Sequence, residues 1–175
     1  SFIELLPVIR QAVDEEQKIL IVCNRVAHAQ EIFKQIDELY PNTDKMLIHS
    51  RFKRKDRNRL EKELKEVYNA SPHACVVVST QVVEVSLDIS FDVMITEAAP
   101  IDADTIGKYK PVYVIAPPEE DSECLPYSRE VLQRSYDVLP QNALLREAEL
   151  QSLIDRVYPQ IKRINIGLDA VFVDG

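Results

Sequence analysis

Residues 75–78 (Cys-Val-Val-Val) are continuously apolar and mostly β-branched, and polar residues follow at once: Ser79, Thr80 and Gln81, then Glu84, Ser86 and Asp88. An unbroken apolar run of this length suits a strand covered on both faces, as in a parallel sheet, because a half-exposed strand alternates apolar and polar positions. Residues 93–95 resume the pattern after the polar connector, and residues 18–23 (Lys-Ile-Leu-Ile-Val-Cys), 45–48 and 112–116 predict further strands of the same kind. Residues 164–173, partly alternating, predict a final strand.

Helical periodicity fills the intervals. Residues 2–13 space Phe2, Leu5, Leu6, Ile9, Ala12 and Val13 along one side, with Pro7 predicting a start or kink because an interior proline loses a backbone hydrogen bond. Residues 26–40 put Ala29, Ile32, Phe33, Ile36 and Leu39 on one face, and Pro41-Asn42 ends that helix. Residues 56–68 bury Leu60, Leu64, Val67 and Tyr68. Two later helices are predicted over 128–139, with Val131, Leu132 and Tyr136 inward, and over 141–158, with Leu144, Ala148, Leu150, Leu153, Ile154 and Val157. Strand–helix–strand succession makes the fold class α/β: a predominantly parallel sheet with helices on both faces, plus a C-terminal helical segment. Polar side chains leaving the carboxyl end of a parallel strand stand where open α/β sheets bind ligands.

Composition narrows the function. The 175 residues, 46% hydrophobic, fit one domain with an appendage. No apolar run reaches the roughly 20 residues of a membrane span, so no membrane partner is expected. The chain opens at Ser1 on structured-looking sequence, which reads as a piece of a larger polypeptide. Three cysteines, Cys23, Cys75 and Cys124, lack metal-ligand spacing, and no histidine is expected to cluster with them or with carboxylates, so no metal site is expected. The odd count favours reduced, cytoplasmic chemistry. A net charge of −8 argues against a simple nucleic-acid-binding module, but residues 51–59 hold six basic residues and one acid, a local +5 on a body of −13. Such a strip can grip a phosphate backbone locally.

The run from Val76 to Asp102, centred on Ser-Thr-Gln-Val-Val-Glu-Val-Ser-Leu-Asp-Ile and continuing to Thr96-Glu97 and Ala99-Pro100-Ile101-Asp102, resembles motif V of superfamily 2 helicases, and within them the CRISPR-associated Cas3 helicases. Ser86 stands where the wider superfamily commonly has glycine. The strand–Asn24–helix unit is similar to motif IV, and His49-Ser50-Arg51-Phe52 with Asp56-Arg57 is similar to motif IVa. The resemblance implies that residues 1–126 form the second RecA-like lobe of a 3′-to-5′ single-stranded DNA helicase, with 127–175 as a helical extension and terminal strand. It implies strand contacts from Ser50, Arg51, Ser79, Thr80 and Gln81, and a nucleotide ribose contact from Asp88. Glu84 would link the two faces, its alternative being an exposed loop carboxylate. The implied cofactors are ATP and Mg²⁺, the metal's ligands and the P-loop lying on the first lobe. The implied partners are that lobe in cis, single-stranded DNA and a Cascade-like CRISPR effector complex.

The family pattern breaks after Asp102. Cas3-like helicases continue into an arginine-rich motif VI, whereas here Ala103-Asp104-Thr105-Ile106-Gly107-Lys108 leads straight to the next strand. Either a glycine- and arginine-rich loop is missing between Ala103 and Thr105, which a Cα–Cα gap beyond ~3.8 Å would reveal, or the deletion is real. Only 3 glycines in the chain favour the first. Two other readings stay open: the second lobe of a DEAD-box-like RNA helicase, and a degenerate, non-catalytic α/β binding module. With no P-loop, acidic box or arginine finger in its sequence, this chain alone is expected to hydrolyse no ATP above background. A turnover assay on the purified chain checks this, and measurable turnover would refute the half-motor reading.

Overall fold

The computed structural model describes residues 2–49, 51–52, 54–68, 70–80, 91–98, 111–143, 145 and 147–157. Five strands form one sheet: β1 (Lys18–Cys23), β2 (Asp44–Ile48), β3 (Cys75–Thr80), β4 (Val93–Glu97) and β5 (Val112–Ile115). Their order is β2-β3-β1-β4-β5, and every pairing is parallel. The earliest strand therefore lies at the centre. Five of its six residues are buried, as its unbroken apolar sequence requires.

Side chains on a strand alternate between faces, and here each face has its own core. On one side Ile19, Ile21 and Cys23 of β1 join Val76, Val78, Val93 and Ile95. They pack against Ile9 and Ala12 of α1 (Leu6–Asp14) and Ala29, Ile32 and Ile36 of α2 (Val26–Leu39). On the other side Leu20, Val22, Met46, Ile48 and Val77 meet Leu64, with Leu60 and Tyr68 partly buried against them. Leu60 lies on α3 (Arg54–Glu63), which runs into a π-helical turn, Leu64–Tyr68. That turn brings the Tyr68 hydroxyl to the Lys45 carbonyl at 2.9 Å, pinning the helix to edge strand β2.

The amino end of the sheet is closed by carboxylates. Asp92 accepts from the Lys18 backbone N–H at 2.9 Å, and Glu16 from that of Ala74 at 2.7 Å. Lys45, its side chain only 10% exposed, pairs with Asp37 at 3.0 Å and donates to the Pro41 and Thr43 carbonyls. This ties off the turn from α2 into β2.

Pro7 sits in the first turn of α1, where a missing N–H costs nothing, and a 3₁₀ turn, Phe2–Leu5, precedes it. Leu39 departs from expectation: it is 53% exposed, and Tyr40 packs on the core in its place as the chain leaves α2. The last helix is shorter than its periodicity predicts. Asn142 takes a left-handed φ of 51°, which stops a helix from running through it, and α5 begins only at Glu147, spanning Glu147–Val157. Leu153 and Val157 are buried as expected. The helix before it, α4 (Arg129–Val138), is capped by Ser128, whose Oγ accepts from the Val131 N–H. Residues 164–173 and the junction at 103–105 lie outside the described residues. No helix among the described residues is long and apolar enough to cross a membrane.

Ile21 is fully buried at the centre of the sheet. Ile21→Ala should lower stability by ~2–5 kcal/mol through lost transfer energy and an unfilled cavity. Denaturant unfolding reads this as a lower midpoint at constant slope. A change under ~1 kcal/mol would contradict the central placement of β1.

Candidate functional site

Because all five strands are parallel, their carboxyl ends share one edge of the sheet. Register places Thr80 opposite Cys23, and Ser79 opposite both Val22 and Ile48. The final residues of β3 and the residue after β2 are thus neighbours. Ser79 and Thr80 are 1% and 4% exposed, and His49 is 6% exposed. Ser79 Oγ, Thr80 Oγ1 and His49 Nδ1 are all buried without a hydrogen-bond partner among the described residues. The His49 ring stacks on Phe52 with centroids 4.2 Å apart, and the Phe52 N–H donates to the His49 carbonyl at 3.2 Å. Burial, aided by the Arg51 charge, pushes the His49 pKa down, so the ring is held neutral. Arg51 itself is exposed beside it.

A second constellation occupies the same edge at β1 and β4. Glu97, the last residue of β4, reaches across to the turn after β1. One carboxylate oxygen accepts from the Asn24 backbone N–H and the other meets His28 Nδ1 in the first turn of α2. The Asn24 side-chain amide donates to the Ala98 carbonyl at 2.8 Å, and the Ala98 N–H donates onward to the Ile115 carbonyl at 3.0 Å. The clasp joins three strand ends to one helix start. His28 and Glu97 side chains are 29% and 18% exposed, so solvent screens the pair only partly. The hydrogen bond to Glu97 raises the His28 pKa, with burial opposing.

Of the sequence-expected strand contacts, the structure places Ser79 and Thr80 at the end of β3 and Arg51 three residues past the end of the neighbouring β2. Ser79 and Thr80 stand at the strand end, but their hydroxyls are closed off from solvent. Ser50, Gln81, Glu84 and Asp88 lie outside the described residues. The expectation that no histidine gathers with cysteine and carboxylate partners is corrected: His28, Cys23 and Glu97 do so. Their separation in sequence matches no ligand motif. The available signal was an acid closing the apolar run Val-Met-Ile-Thr-Glu at a predicted carboxyl edge.

His28 gains its partner on folding, so its folded pKa lies above the unfolded value of about 6.5. Its contribution to stability is complete below that value and is lost as pH rises through the folded pKa. His49, with a lowered pKa, acts in the opposite sense: its contribution is present above its unfolded value and is lost as pH falls. The Glu97→Gln variant should therefore lose the alkaline decline specifically. Thermal unfolding from pH 5.5 to 8.5 tests this, and an unchanged alkaline slope in the variant would refute the coupling.

The comparisons with known proteins fit this edge-centred α/β fold. Residues 15–105 match the family described as CRISPR-associated nuclease/helicase Cas3, C-terminal. A Cas3 nuclease/helicase of Streptococcus thermophilus is 31% identical over 102 residues, covering 57% of this chain and 11% of that protein. One of Methanocaldococcus jannaschii is 30% identical over 157 residues, covering 79% of this chain and 21% of that protein. The crystal structure of T. fusca Cas3 with ADP superposes at a TM-score of 0.75 with 26% identity, over 90% of this chain and 22% of that one. The chain thus spans about a fifth or less of these relatives, with the RecA-like sheet lying in the shared part. With half of its length matched by the family's own pattern and its sheet superposing on a solved member, the chain belongs to the Cas3 family, in the C-terminal part of its nuclease/helicases.

Proposed function

We propose that this chain is the second motor lobe of an ATP-driven, 3′-to-5′ single-stranded DNA translocase acting in CRISPR antiviral defence alongside a Cascade-like effector complex. The observation that carries this reading is the group of buried polar atoms without partners at the carboxyl edge: His49 Nδ1, Ser79 Oγ and Thr80 Oγ1. Each unmade hydrogen bond costs ~1–3 kcal/mol, and buried polar groups in native proteins are nearly always paired. Three such atoms at adjacent strand ends favour a ligand that completes them, at the edge where open parallel sheets take ligands.

The side chains suit a strand read by its backbone. A hydroxyl or carboxamide at Ser79, Thr80 and Gln81 donates to phosphate oxygens without reading a base, which a translocating motor needs. Ser50 and the exposed Arg51 extend the contact along the end of β2. Asp88 accepts from a ribose hydroxyl, a role for which a carboxylate is better suited than for phosphate. Glu84 connects the two contacts. In this reading the edge, closed over Ser79 and Thr80, opens to admit the strand in step with lobes that close around nucleotide and reopen. T. fusca Cas3 has been solved with ADP and with AMPPNP. Those complexes support nucleotide binding by the intact protein; in this reading the nucleotide lies between this lobe and a first lobe, which supplies the phosphate loop and the Mg²⁺ ligands. The first lobe and the arginine-rich segment complete the enzyme.

In the intact polypeptide, Thr80→Val removes the unpartnered hydroxyl while keeping its shape. Folding stability should hold or rise, while the DNA concentration for half-maximal ATPase stimulation should increase about tenfold or more, the cost of one hydrogen bond to a charged group. Asp88→Ala should instead impair nucleotide coupling with DNA binding retained. Unchanged DNA stimulation in Thr80→Val would remove the strand contact from the account, and normal ATP turnover in Asp88→Ala would remove the ribose contact.

A further inference from the structure

We infer that Cys23, His28 and Glu97 form a binding site for a thiophilic divalent cation of the zinc type. The inference stands apart from the motor reading. One sulfur, one imidazole nitrogen and one carboxylate oxygen from these residues lie within 4.8 Å of one another. In a tetrahedral zinc site with metal–ligand bonds of about 2.0–2.3 Å, neighbouring donors stand roughly 3.3–3.8 Å apart, so binding an ion takes movements of about 1 Å, the wider pairs closing in and the hydrogen-bonded His28–Glu97 pair moving apart.

The fold explains why these three meet. Strand alternation puts Cys23 on the face that carries Ile19 and Ile21, and Glu97 on the face that carries Val93 and Ile95. Both faces are the one covered by α2, whose first turn bears His28. Three separate elements thus supply one donor each, and strands hold two of them rigidly. His28 and Glu97 are the partly exposed members of the group, so a fourth donor from solvent would reach the ion on their side.

Charge favours the assembly. Glu97 already accepts from Asn24 and meets His28, yet a carboxylate retains lone pairs for an ion. Cys23 is fully buried, and Glu97 is the charged group that acts on it among the described residues. Without a cation, burial holds the Cys23 thiol protonated, and the nearby Glu97 carboxylate adds to the effect. A divalent cation displaces the thiol proton to solvent, binds the sulfur, takes the lone pair of a neutral His28 ring whose contact with Glu97 gives way and whose extra proton also leaves to solvent, and cancels thiolate and carboxylate together. Sulfur selects soft ions, so Mg²⁺ is not a competitor.

The test is Co²⁺ titrated anaerobically into the intact polypeptide. The expected result is a sulfur-to-cobalt charge-transfer band that saturates at one equivalent, is displaced by Zn²⁺ and survives excess Mg²⁺. The band should vanish in Cys23→Ser and persist in Cys75→Ser. Should Cys23→Ser fail to fold, His28→Ala, altered on a partly exposed helix turn, must weaken cobalt binding at least as much as the ~10–100-fold lost with an outer-sphere partner. A folded wild-type protein without the band, a band unchanged in Cys23→Ser, or full affinity in His28→Ala would overturn the assignment.

Discussion

β1 pairs with β3 on one side and β4 on the other, both parallel, and this arrangement sets the conditions for the rest of the structure. A central parallel strand has no exposed face, so both cores must be apolar, and helices must cover each side. α1 and α2 cover one, and α3 with its π turn covers the other. Parallel direction also collects every carboxyl end at one edge. Cys23, Thr80 and Glu97 become neighbours although 57 or more residues separate the first from the other two. The site is a consequence of the ladder and not of any local motif.

That edge divides chemically. At β2 and β3 the polar atoms lack partners, whereas at β1 and β4 they are engaged in a clasp. A clasp fixes the turn after β1 against β4, giving the start of α2 a rigid seat. The unmade hydrogen bonds of His49, Ser79 and Thr80 each cost ~1–3 kcal/mol that a partner at this edge would recover. A cation held by Cys23, His28 and Glu97 would replace the His28–Glu97 contact with bonds to one ion and tie β1, β4 and α2 together.

The strands were legible because continuous apolar runs have few alternatives. β1 has the bounds its sequence predicts. β3 and β4 run on past their apolar cores, into Ser79-Thr80 and Thr96-Glu97, because backbone pairing continues where side-chain apolarity ends. Leu39 misled because the helical face drifts in the last turn, and the longer Tyr40 side chain reaches the core. Asn142 ended a periodicity that the apolar pattern alone could not interrupt. The Glu97–His28 contact was illegible: it depends on which strands are neighbours, and the order β2-β3-β1-β4-β5 cannot be read from apolar runs. Of the expected strand contacts, Ser79 and Thr80 were found at the carboxyl edge as their position after an apolar run requires. Their burial was unforeseen, because hydroxyl residues give no burial signal in a hydropathy pattern.

The motor reading meets its most direct test in the ATPase rate of the intact polypeptide, measured without nucleic acid, with single-stranded DNA and with single-stranded RNA of the same sequence. The account predicts turnover that rises with DNA and stays near the unstimulated rate with RNA. Stimulation by RNA alone would contradict the assignment of its track, and absence of turnover under every condition would contradict the motor itself.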